Sequence, residues 1–289
     1  MRPNLIFGIA IVALCILAGR LSAADLIGRD ACVTCHSSME HRSMLPHGMQ
    51  DEDSCETCHG PGSIHMESES SKDIRTFKEK SLAALDEANG VCLNCHGGAV
   101  ERHWPASSHQ AAGVGCADCH SIQHPGQPRP DKSDMTQSCL SCHVDVRAKT
   151  LRQHGHPLRH GQMNCIDCHQ PHEPAGEAEL RQFTVNDNCY TCHAEKRGPF
   201  LWEHEPVFEQ CTVCHDAHGS IHPGALVRRA PQLCQQCHHQ PHTRNPHGDE
   251  LYDFSSESRI QRSVFGRSCL NCHSQVHGSN HPSGLYLMR

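Results

Sequence analysis

Aromatic residues and an ordinary apolar core are what this 289-residue chain has least of. Aromatics make up 4% of the sequence, and the hydrophobic fraction of 37% counts 21 cysteines. A chain of this length normally buries a larger core of Leu, Ile, Val and Phe than this composition supplies. Either something other than side chains provides apolar volume, or the chain is disordered.

Positive charge and phosphate-binding loops are also lacking. The formal net charge is −7, and we find no glycine-rich loop that would cradle a phosphate. An acidic surface of this kind argues against nucleic acid as a partner.

Long apolar runs are limited to residues 5–19, which follow Arg2 and precede the small residues of 22–24. This pattern is typical of a secretory signal, so we predict that residues 1–24 are cut away together with Cys15. The alternative is a retained anchor. Removal leaves 23 basic and 32 acidic residues, a net charge of −9, and a chain that cannot cross a membrane as a helix by itself.

Cysteine, by contrast, is abundant and regular. Apart from Cys15, the cysteines form ten C-x-x-C pairs, and a histidine follows every pair. About one residue in ten is histidine, so ten successes in ten have a chance probability of about one in ten billion. Numbered 1 to 10 in chain order, the motifs are Cys32/Cys35/His36, Cys55/Cys58/His59, Cys92/Cys95/His96, Cys116/Cys119/His120, Cys139/Cys142/His143, Cys165/Cys168/His169, Cys189/Cys192/His193, Cys211/Cys214/His215, Cys234/Cys237/His238 and Cys269/Cys272/His273.

Three kinds of site compete for this motif. Zinc sites use C-x-x-C pairs two at a time and need no histidine after each one. Redox dithiols would need thioredoxin-like βαβ surroundings, which the sequence does not show. C-x-x-C-H is the attachment site of c-type haem, in which two thiols bond the porphyrin and the histidine ligates the iron. We therefore predict ten covalent haems c, whose planes supply the missing apolar filling.

Histidine spacing nominates the sixth iron ligands. When the motifs are grouped in twos, one histidine follows the first motif histidine by nine to thirteen residues, and another follows the second by three to six. Seven methionines after the signal are too few and too irregular to serve instead. The predicted distal ligands are His47, His65, His109, His124, His156, His172, His204, His218, His247 and His277.

Some alternatives stay open. His242 competes with His247, and His154 and His160 flank His156 closely. His222 and His281 repeat at matching places but are surplus. Which haem each distal histidine serves is not evident from spacing. If every iron has two imidazoles, each is closed to small substrates, so we predict electron transfer, mostly at negative potential.

The spaces between motifs leave little room for regular structure. Ile74, Phe77, Leu82 and Leu85 lie at helical spacing, so we predict one amphipathic helix over 71–89, opened by Ser71. We expect loops at 124–130 and 248–268. The predicted fold is a multihaem cytochrome c: mostly coil with short α-helices packed on a chain of stacked haems, elongated, with negligible β structure.

The sequence resembles the periplasmic decahaem cytochromes of the MtrA/DmsE type, which include MtoA and PioA. The most specific stretches are "CYTCHAEKRGPFLWEHEPVFEQCTVCHDAHGS" at 189–220, "GRSCLNCHSQVHGSNHPSG" at 266–284 and "HGHPLRHGQMNCIDCHQPH" at 154–172. The resemblance supports the ligand positions of His156, His204, His218, His247 and His277. The N-terminal third matches more loosely, so His47, His65 and His109 depend mainly on spacing.

This resemblance implies an electron conduit with two five-haem halves, about 25–160 and 161–289. The grouping in twos has a different phase, since motifs 5 and 6 group across that boundary. Members insert into an outer-membrane β-barrel porin and pass electrons between periplasmic carriers and an outer-surface cytochrome or extracellular substrate. We expect a periplasmic protein associated with the outer membrane, with no nucleic-acid partner. A soluble shuttle to a terminal reductase is the alternative; a reductase acting on a small oxyanion is disfavoured because no motif departs from C-x-x-C-H.

Overall fold

The computed structural model describes residues 24–39, 55–98, 101–120, 132–172, 176–238, 267–282 and 284–288. In these ranges the chain forms short helices and single turns joined by coil, with isolated β-bridges and no extended strand. The predicted secondary structure is confirmed there. The predicted signal, except Ala24, the turn at 124–130 and nearly all of the loop at 248–268 lie outside the described residues.

Most helices are one to three turns long. The α-helices are α1 (Arg29–Cys35), α2 (Glu56–His59), α3 (Ser63–Ser68), α4 (Leu82–Leu93), α5 (Ser108–Ala111), α6 (Cys116–Cys119), α7 (Lys132–Cys142), α8 (Val144–Thr150), α9 (Val185–Tyr190) and α10 (Glu205–Glu209). Single 3₁₀ turns cover Ser37–Met39, Glu101–Ala106, Pro157–His160, Cys165–Asp167, Glu177–Glu179, Ala194–Lys196, Cys211–Val213, Pro223–Ala225, Cys234–Gln236, Cys269–Asn271 and Gly284–Tyr286.

Polypeptide packing groups the chain into two compact units. One comprises Met1–Gly97 and Gln110–Gln127 and holds motifs 1 to 4; the other comprises Gly98–His109 and Pro128–Arg289 and holds motifs 5 to 10. The grouping reflects packing between polypeptide segments alone. The division into two five-haem halves stays a prediction.

The apolar core is small, as the composition predicts. In the described residues, the buried hydrophobic side chains are Leu85 and Ala88 in the first unit and Trp104, Leu140, Leu180 and Leu287 in the second. Side-chain burial alone therefore contributes little to stability, and local hydrogen bonds carry more of the architecture.

The helix predicted over 71–89 is wrong in its bounds. Helix α4 begins after Ser81, whose hydroxyl accepts a hydrogen bond from the Ala84 N–H, and it continues through Gly90 into motif 3. The preceding segment is held on motif 2 instead. Arg75 donates to the Cys58 carbonyl at 3.0 Å, and its own carbonyl lies 2.8 Å from His59 Nδ1. A helix beginning at residue 71 would withdraw these bonds.

Within the described residues, no helix has both the length and the apolar character needed to span a membrane.

Candidate haem centres

All ten C-x-x-C-H motifs adopt the same single turn. In each, the backbone N–H of the histidine donates to the carbonyl of the first cysteine, four residues earlier, at 2.9–3.1 Å. Side chains at positions i, i+3 and i+4 of such a turn share one face. The turn therefore presents two thiols and an imidazole on one side, as two thioether bonds and an iron ligand require.

Six motif histidines face a second imidazole across a nearly constant gap, with ring centroids 6.0–6.3 Å apart. Two metal–nitrogen bonds of about 2 Å, plus about 1.1 Å from each nitrogen to its ring centre, predict about 6.2 Å. The gap therefore fits one iron between two imidazoles. The pairs are His36–His65, His109–His143, His156–His193, His169–His218, His204–His238 and His215–His277.

Each pair joins one motif histidine to one predicted distal histidine, and the partner is usually two motifs away. A distal histidine that lies between an odd motif and the following even motif faces the next odd motif. His109, between motifs 3 and 4, faces motif 5; likewise His156 faces motif 7 and His204 faces motif 9. One that follows an even motif faces two motifs back: His218 faces motif 6 and His277 motif 8. His65, following motif 2, faces motif 1.

Backbone carbonyls fix the imidazoles through Nδ1. Because a carbonyl only accepts, Nδ1 must carry the proton, which leaves the Nε2 lone pair for a metal. Imidazoles that are held through Nδ1 and present Nε2 are suited to ligate haem iron. The contacts, 2.5–2.9 Å long, are His59–Arg75, His65–Ser70, His156–Ala217, His169–Ala178, His204–Val276, His215–Gly224 and His273–Tyr286.

Two distal imidazoles are kept neutral by their surroundings. Burial, and then the nearby His169, lowers the pKa of His218 below its ordinary value. Burial, followed by Lys196 and His215, likewise lowers the pKa of His277. A neutral ring keeps the lone pair that iron ligation needs.

Neighbouring motifs touch through their cysteines. A hydrogen bond with Cys116 lowers the pKa of the Cys92 thiol to about 6, and one with Cys139 lowers that of Cys165 to about 7. Contacts between first cysteines join motifs 1 and 2, 3 and 4, 5 and 6, 7 and 8, and 9 and 10. Second cysteines lie near the following motif at 2–3, 6–7 and 8–9. Inside each unit, spatial order follows chain order.

The two cysteines of a motif differ in exposure. Every first cysteine is half-buried, because it lies against the first cysteine of a neighbouring motif. Among the second cysteines, the half-buried ones are Cys58, Cys168 and Cys214, and the exposed ones are Cys35, Cys95, Cys119, Cys142, Cys192, Cys237 and Cys272. His120 of motif 4, which follows α6, is exposed as well. Such exposure fits attachment to a porphyrin rather than burial in a protein core.

Two equivalent turns carry His218 and His277. His154 and Ser220 form a β-bridge, as do Trp202 and Ser279, so each "HGS" turn lies beside the segment of another distal histidine. The surplus histidines belong to these turns, because the backbone N–H groups of His222 and His281 donate to Ser220 and Ser279 at 3.0 Å. Their side chains are not needed for that bond.

Asparagines that sequence reasoning missed align successive motifs. Asn89 Oδ1 accepts from the Cys116 N–H at 3.0 Å, and Asn186 Oδ1 accepts from the Cys211 N–H at 2.8 Å. Both lie three residues before the first cysteine of an odd motif, so the repeated N-x-x-C spacing was the available signal.

The remaining predicted distal histidines are His47, His124, His172 and His247. His47, His124, His247 and the competing His242 lie outside the described residues. The ring of His172 lies 6.2 Å from that of Trp104. Among the described residues, no three His, Cys, Asp or Glu side chains converge to hold a metal ion, and the twenty motif cysteines form no disulfide.

Repeated C-x-x-C-H turns with facing imidazoles define a multihaem c-type cytochrome. A family model of the doubled CXXCH motif matches residues 156–198 and 204–243, and one for cytochrome c-type proteins that are NrfB-like matches 55–130. The chain is 42% identical over 276 residues to multiheme cytochrome MtrA of Shewanella baltica, covering 91% of this chain and 81% of that protein. It therefore belongs to the MtrA family of multihaem cytochromes, as the resemblance predicts, and it carries covalently attached haem c, about ten per chain.

A second relative is more distant. The chain is 25% identical over 277 residues to the high-molecular-weight cytochrome c of Nitratidesulfovibrio vulgaris, covering 88% of this chain and 46% of that longer protein. Both relatives are cytochromes by name, and electron transfer is the shared activity of the class.

Proposed function

We propose that this cytochrome conducts electrons between the periplasm and the outer cell surface while seated in an outer-membrane β-barrel porin. Its partners are periplasmic and outer-surface cytochromes or other redox carriers, in metal reduction or iron oxidation. It is exported by the signal of residues 1–24 and acts without being an enzyme. Family membership supports electron transfer; the conduit, partner and location are the proposal.

The pairing of imidazoles carries the electron-transfer conclusion. Haem iron takes up and releases one electron, and an iron between two imidazoles keeps no position for a substrate. The chain's own residues supply the frame: carbonyls orient the rings, and touching cysteines keep consecutive attachment sites adjacent. Nothing in this arrangement favours one direction of flow.

The ten motif histidines and the ten predicted distal histidines are the axial ligands in this proposal. Six of the pairs have the ring separation that supports it. Extended along the sequence, the two-motif spacing assigns His47 to His96 and His124 to His59 in the first unit. His172 and His247 complete the set of distal ligands.

The test uses the full haem-loaded chain and a candidate outer-membrane β-barrel porin from the same organism. Liposomes containing an oxidised dye are prepared with porin alone, cytochrome alone, and both, and an impermeant reductant is added outside. We expect a stable complex and dye reduction only when both are present. Reduction at the porin-alone rate, with no complex, contradicts the conduit.

The same preparation distinguishes the alternatives. A soluble periplasmic shuttle would form no complex but would reduce a terminal reductase in solution. An oxyanion reductase would show high-spin, five-coordinate haem in the electron paramagnetic resonance (EPR) spectrum of the isolated protein. We expect only low-spin haem.

A further inference from the structure

His109 differs from the other paired imidazoles in what its Nδ1 meets. Where His156 and His204, which hold equivalent places in the later repeats, donate to the carbonyls of Ala217 and Val276, His109 Nδ1 lies 3.0 Å from a carboxylate oxygen, Oε2 of Glu179. The two atoms do not meet hydrogen-bond geometry, and this buried nitrogen has no hydrogen-bond partner in the described residues, so the contact is electrostatic. A carboxylate is therefore the acceptor nearest to a predicted iron ligand.

The Glu179 carboxylate is positioned and poorly solvated. Its side chain is 15% exposed, and its other oxygen accepts a hydrogen bond from the Ser108 hydroxyl. Trp104, which is buried, stacks parallel to His109 with centroids 6.1 Å apart. No lysine or arginine of the described residues forms an ion pair with Glu179. A charge in such surroundings acts more strongly than one in water.

Two other carboxylates near paired histidines are weaker candidates. Asp216 lies 4.0 Å from His218 Nδ1 but is paired with Lys149 at 3.0 Å. Glu195 lies 3.8 Å from His193 Nδ1 and is 61% exposed, with Lys196 equally close. Lys149 neutralises Asp216, and solvent and Lys196 screen Glu195, whereas Glu179 has no such cation among the described residues.

The fold does not need a carboxylate at position 179. Ala178 and Glu179 form a left-handed turn (φ 52° and 56°) whose Ala178 carbonyl binds His169 Nδ1. Gly224 and Ala225 form the same turn (φ 69° and 53°) after motif 8, and there the Gly224 carbonyl binds His215 Nδ1. Alanine fills the position of Glu179 in that copy, so the carboxylate is an addition specific to His109.

We infer that Glu179 is a positioning residue that lowers the reduction potential of the haem attached at Cys139 and Cys142, acting through His109. The inference rests on the proposed axial pairing of His109 with His143. A negative charge 3.0 Å from Nδ1 raises the electron density of the imidazole and makes Nε2 a stronger donor, which stabilises ferric over ferrous iron. On reduction, one electron passes from a neighbouring haem to the ferric iron, and no bond forms or breaks. The turn at 178–179 thus holds ligands of two consecutive haems, one through a neutral carbonyl and one through a charge.

Spectroscopy distinguishes this haem from its neighbours. The planes of His109 and His143 are perpendicular (90°), whereas those of His169–His218 and His215–His277 differ by 10° and 16°. Perpendicular imidazoles give low-spin ferric haem a large-gmax EPR signal. His109→Met should remove one such signal; an unchanged spectrum would contradict the axial pairing itself, and not only the role of Glu179.

The decisive comparison is an EPR-monitored redox titration of the full protein with Glu179→Gln against Glu177→Gln. Glu177 lies in the same turn and meets the Gln210 amide instead of an imidazole, so it matches the change in charge. We expect Glu179→Gln to raise the midpoint potential of the His109-dependent signal by about 59 mV, which corresponds to a tenfold change in the ratio of oxidised to reduced haem. Glu177→Gln should leave it in place. Equal behaviour of the two variants would overturn the inference while leaving the axial pairing intact.

A second variant tests the direction of the change in potential. It keeps Glu179 in place, so it does not depend on whether Glu179→Gln folds and takes up its haems. Ser108→Ala removes the hydroxyl that donates to the Glu179 carboxylate, so more of the negative charge acts on His109. We expect the same signal to shift downward, opposite to Glu179→Gln. An upward shift, or none, counts against the inference.

Discussion

At the scale of single residues, the iron ligands depend on neighbours that have no metal chemistry of their own. An imidazole is a dependable ligand only if its ring cannot turn, and here carbonyls of residues such as Ala217 and Val276 hold Nδ1. Buried carboxylates are used sparingly. Glu56 is the clearest case, because its oxygens accept hydrogen bonds from the N–H groups of Ile27, Gly28 and Gly62 at 2.8–3.1 Å.

Glu56→Gln should weaken the attachment of the N-terminal segment to motif 2. The amide would place an N–H group against backbone donors, so we expect a loss of about 2 kcal/mol in the free energy of unfolding. Guanidinium unfolding followed by circular dichroism measures it. Glu67→Gln, an exposed change in α3, is the control and should stay within about 0.5 kcal/mol of the parent. Equal losses in both variants would contradict the role of Glu56.

The same carboxylate predicts a pH dependence. Burial by itself raises the pKa of Glu56, but the backbone N–H groups of Gly28, Gly62 and Ile27 outweigh it and lower the pKa overall. A folded pKa below the unfolded one gives stability that is complete above the unfolded value, about 4.3, and is lost as the pH falls through the folded value. The difference in unfolding free energy between parent and Glu56→Gln should therefore be constant near neutral pH and shrink in acid. A difference that stays the same down to the acid limit would argue against this assignment.

At the scale of elements, short turns rather than long helices position the predicted ligands. The "HGS" turns require glycine, since Gly219 (φ 131°) and Gly278 (φ 128°) lie in backbone regions that other residues avoid. A Cβ at Gly219 would also collide with the carbonyl oxygen of Lys149. These turns bring His218 and His277 to motif histidines 49 and 62 residues earlier in the chain.

Gly219→Ala should displace His218 from its partner. Left-handed strain and the clash together should cost roughly 2–4 kcal/mol, and the haem at Cys165 and Cys168 should show a high-spin signal in EPR spectra. Gly161→Ala is the matched control, because Gly161 also has positive φ (64°) but open space around its Cβ position. Low-spin spectra in both variants would contradict the requirement for glycine.

Asn186→Ala should loosen motif 8 relative to α9. The side chain accepts from the Cys211 N–H and donates to the Val207 carbonyl at 2.9 Å, so its loss should cost about 1–3 kcal/mol. Hydrogen exchange of residues 205–215 should quicken. Asn186→Asp keeps the acceptor alone and should fall between parent and Asn186→Ala. Unchanged exchange in Asn186→Ala would exclude this bridging role.

The sequence predicted the kind of cofactor site better than it predicted which histidines face each other. Spacing nominated His109, His156, His204, His218 and His277, each of which lies opposite a motif histidine, and their ligation of iron stays a prediction. It did not predict which motif each one faces, because that depends on contacts between turns far apart in the chain.

Local periodicity was also overruled by a specific contact. The apolar spacing of 71–89 predicted one helix, yet Arg75 keeps the first half of that segment bonded to motif 2. Side chains such as Glu179 and Trp104 carried no signal at all, since their importance comes from what they touch in the folded chain.

At the scale of the whole molecule, attachment sites are ordered within each unit as they are in the sequence. In the second unit, cysteines of consecutive motifs lie near one another from motif 5 to motif 10. We therefore expect an electron moving through this unit to pass from each site to the next in chain order.

Removing one interior haem should interrupt flow through the second unit. A ruthenium photosensitiser on Tyr286→Cys, at a side chain 54% exposed, would inject electrons near motif 10. In a chain produced without residues 1–24, and so without Cys15, this thiol is unique because the motif cysteines are thioether-bonded. In the parent, electrons should reach the haem at Cys139 and Cys142. With Cys211→Ala and Cys214→Ala they should remain on the haems of motifs 9 and 10, as read by freeze-quench EPR. Cys55→Ala with Cys58→Ala removes a haem of the first unit and should leave this flow intact. Parent-like arrival without the motif 8 haem would mean that the order of cysteine contacts is not the order of electron transfer.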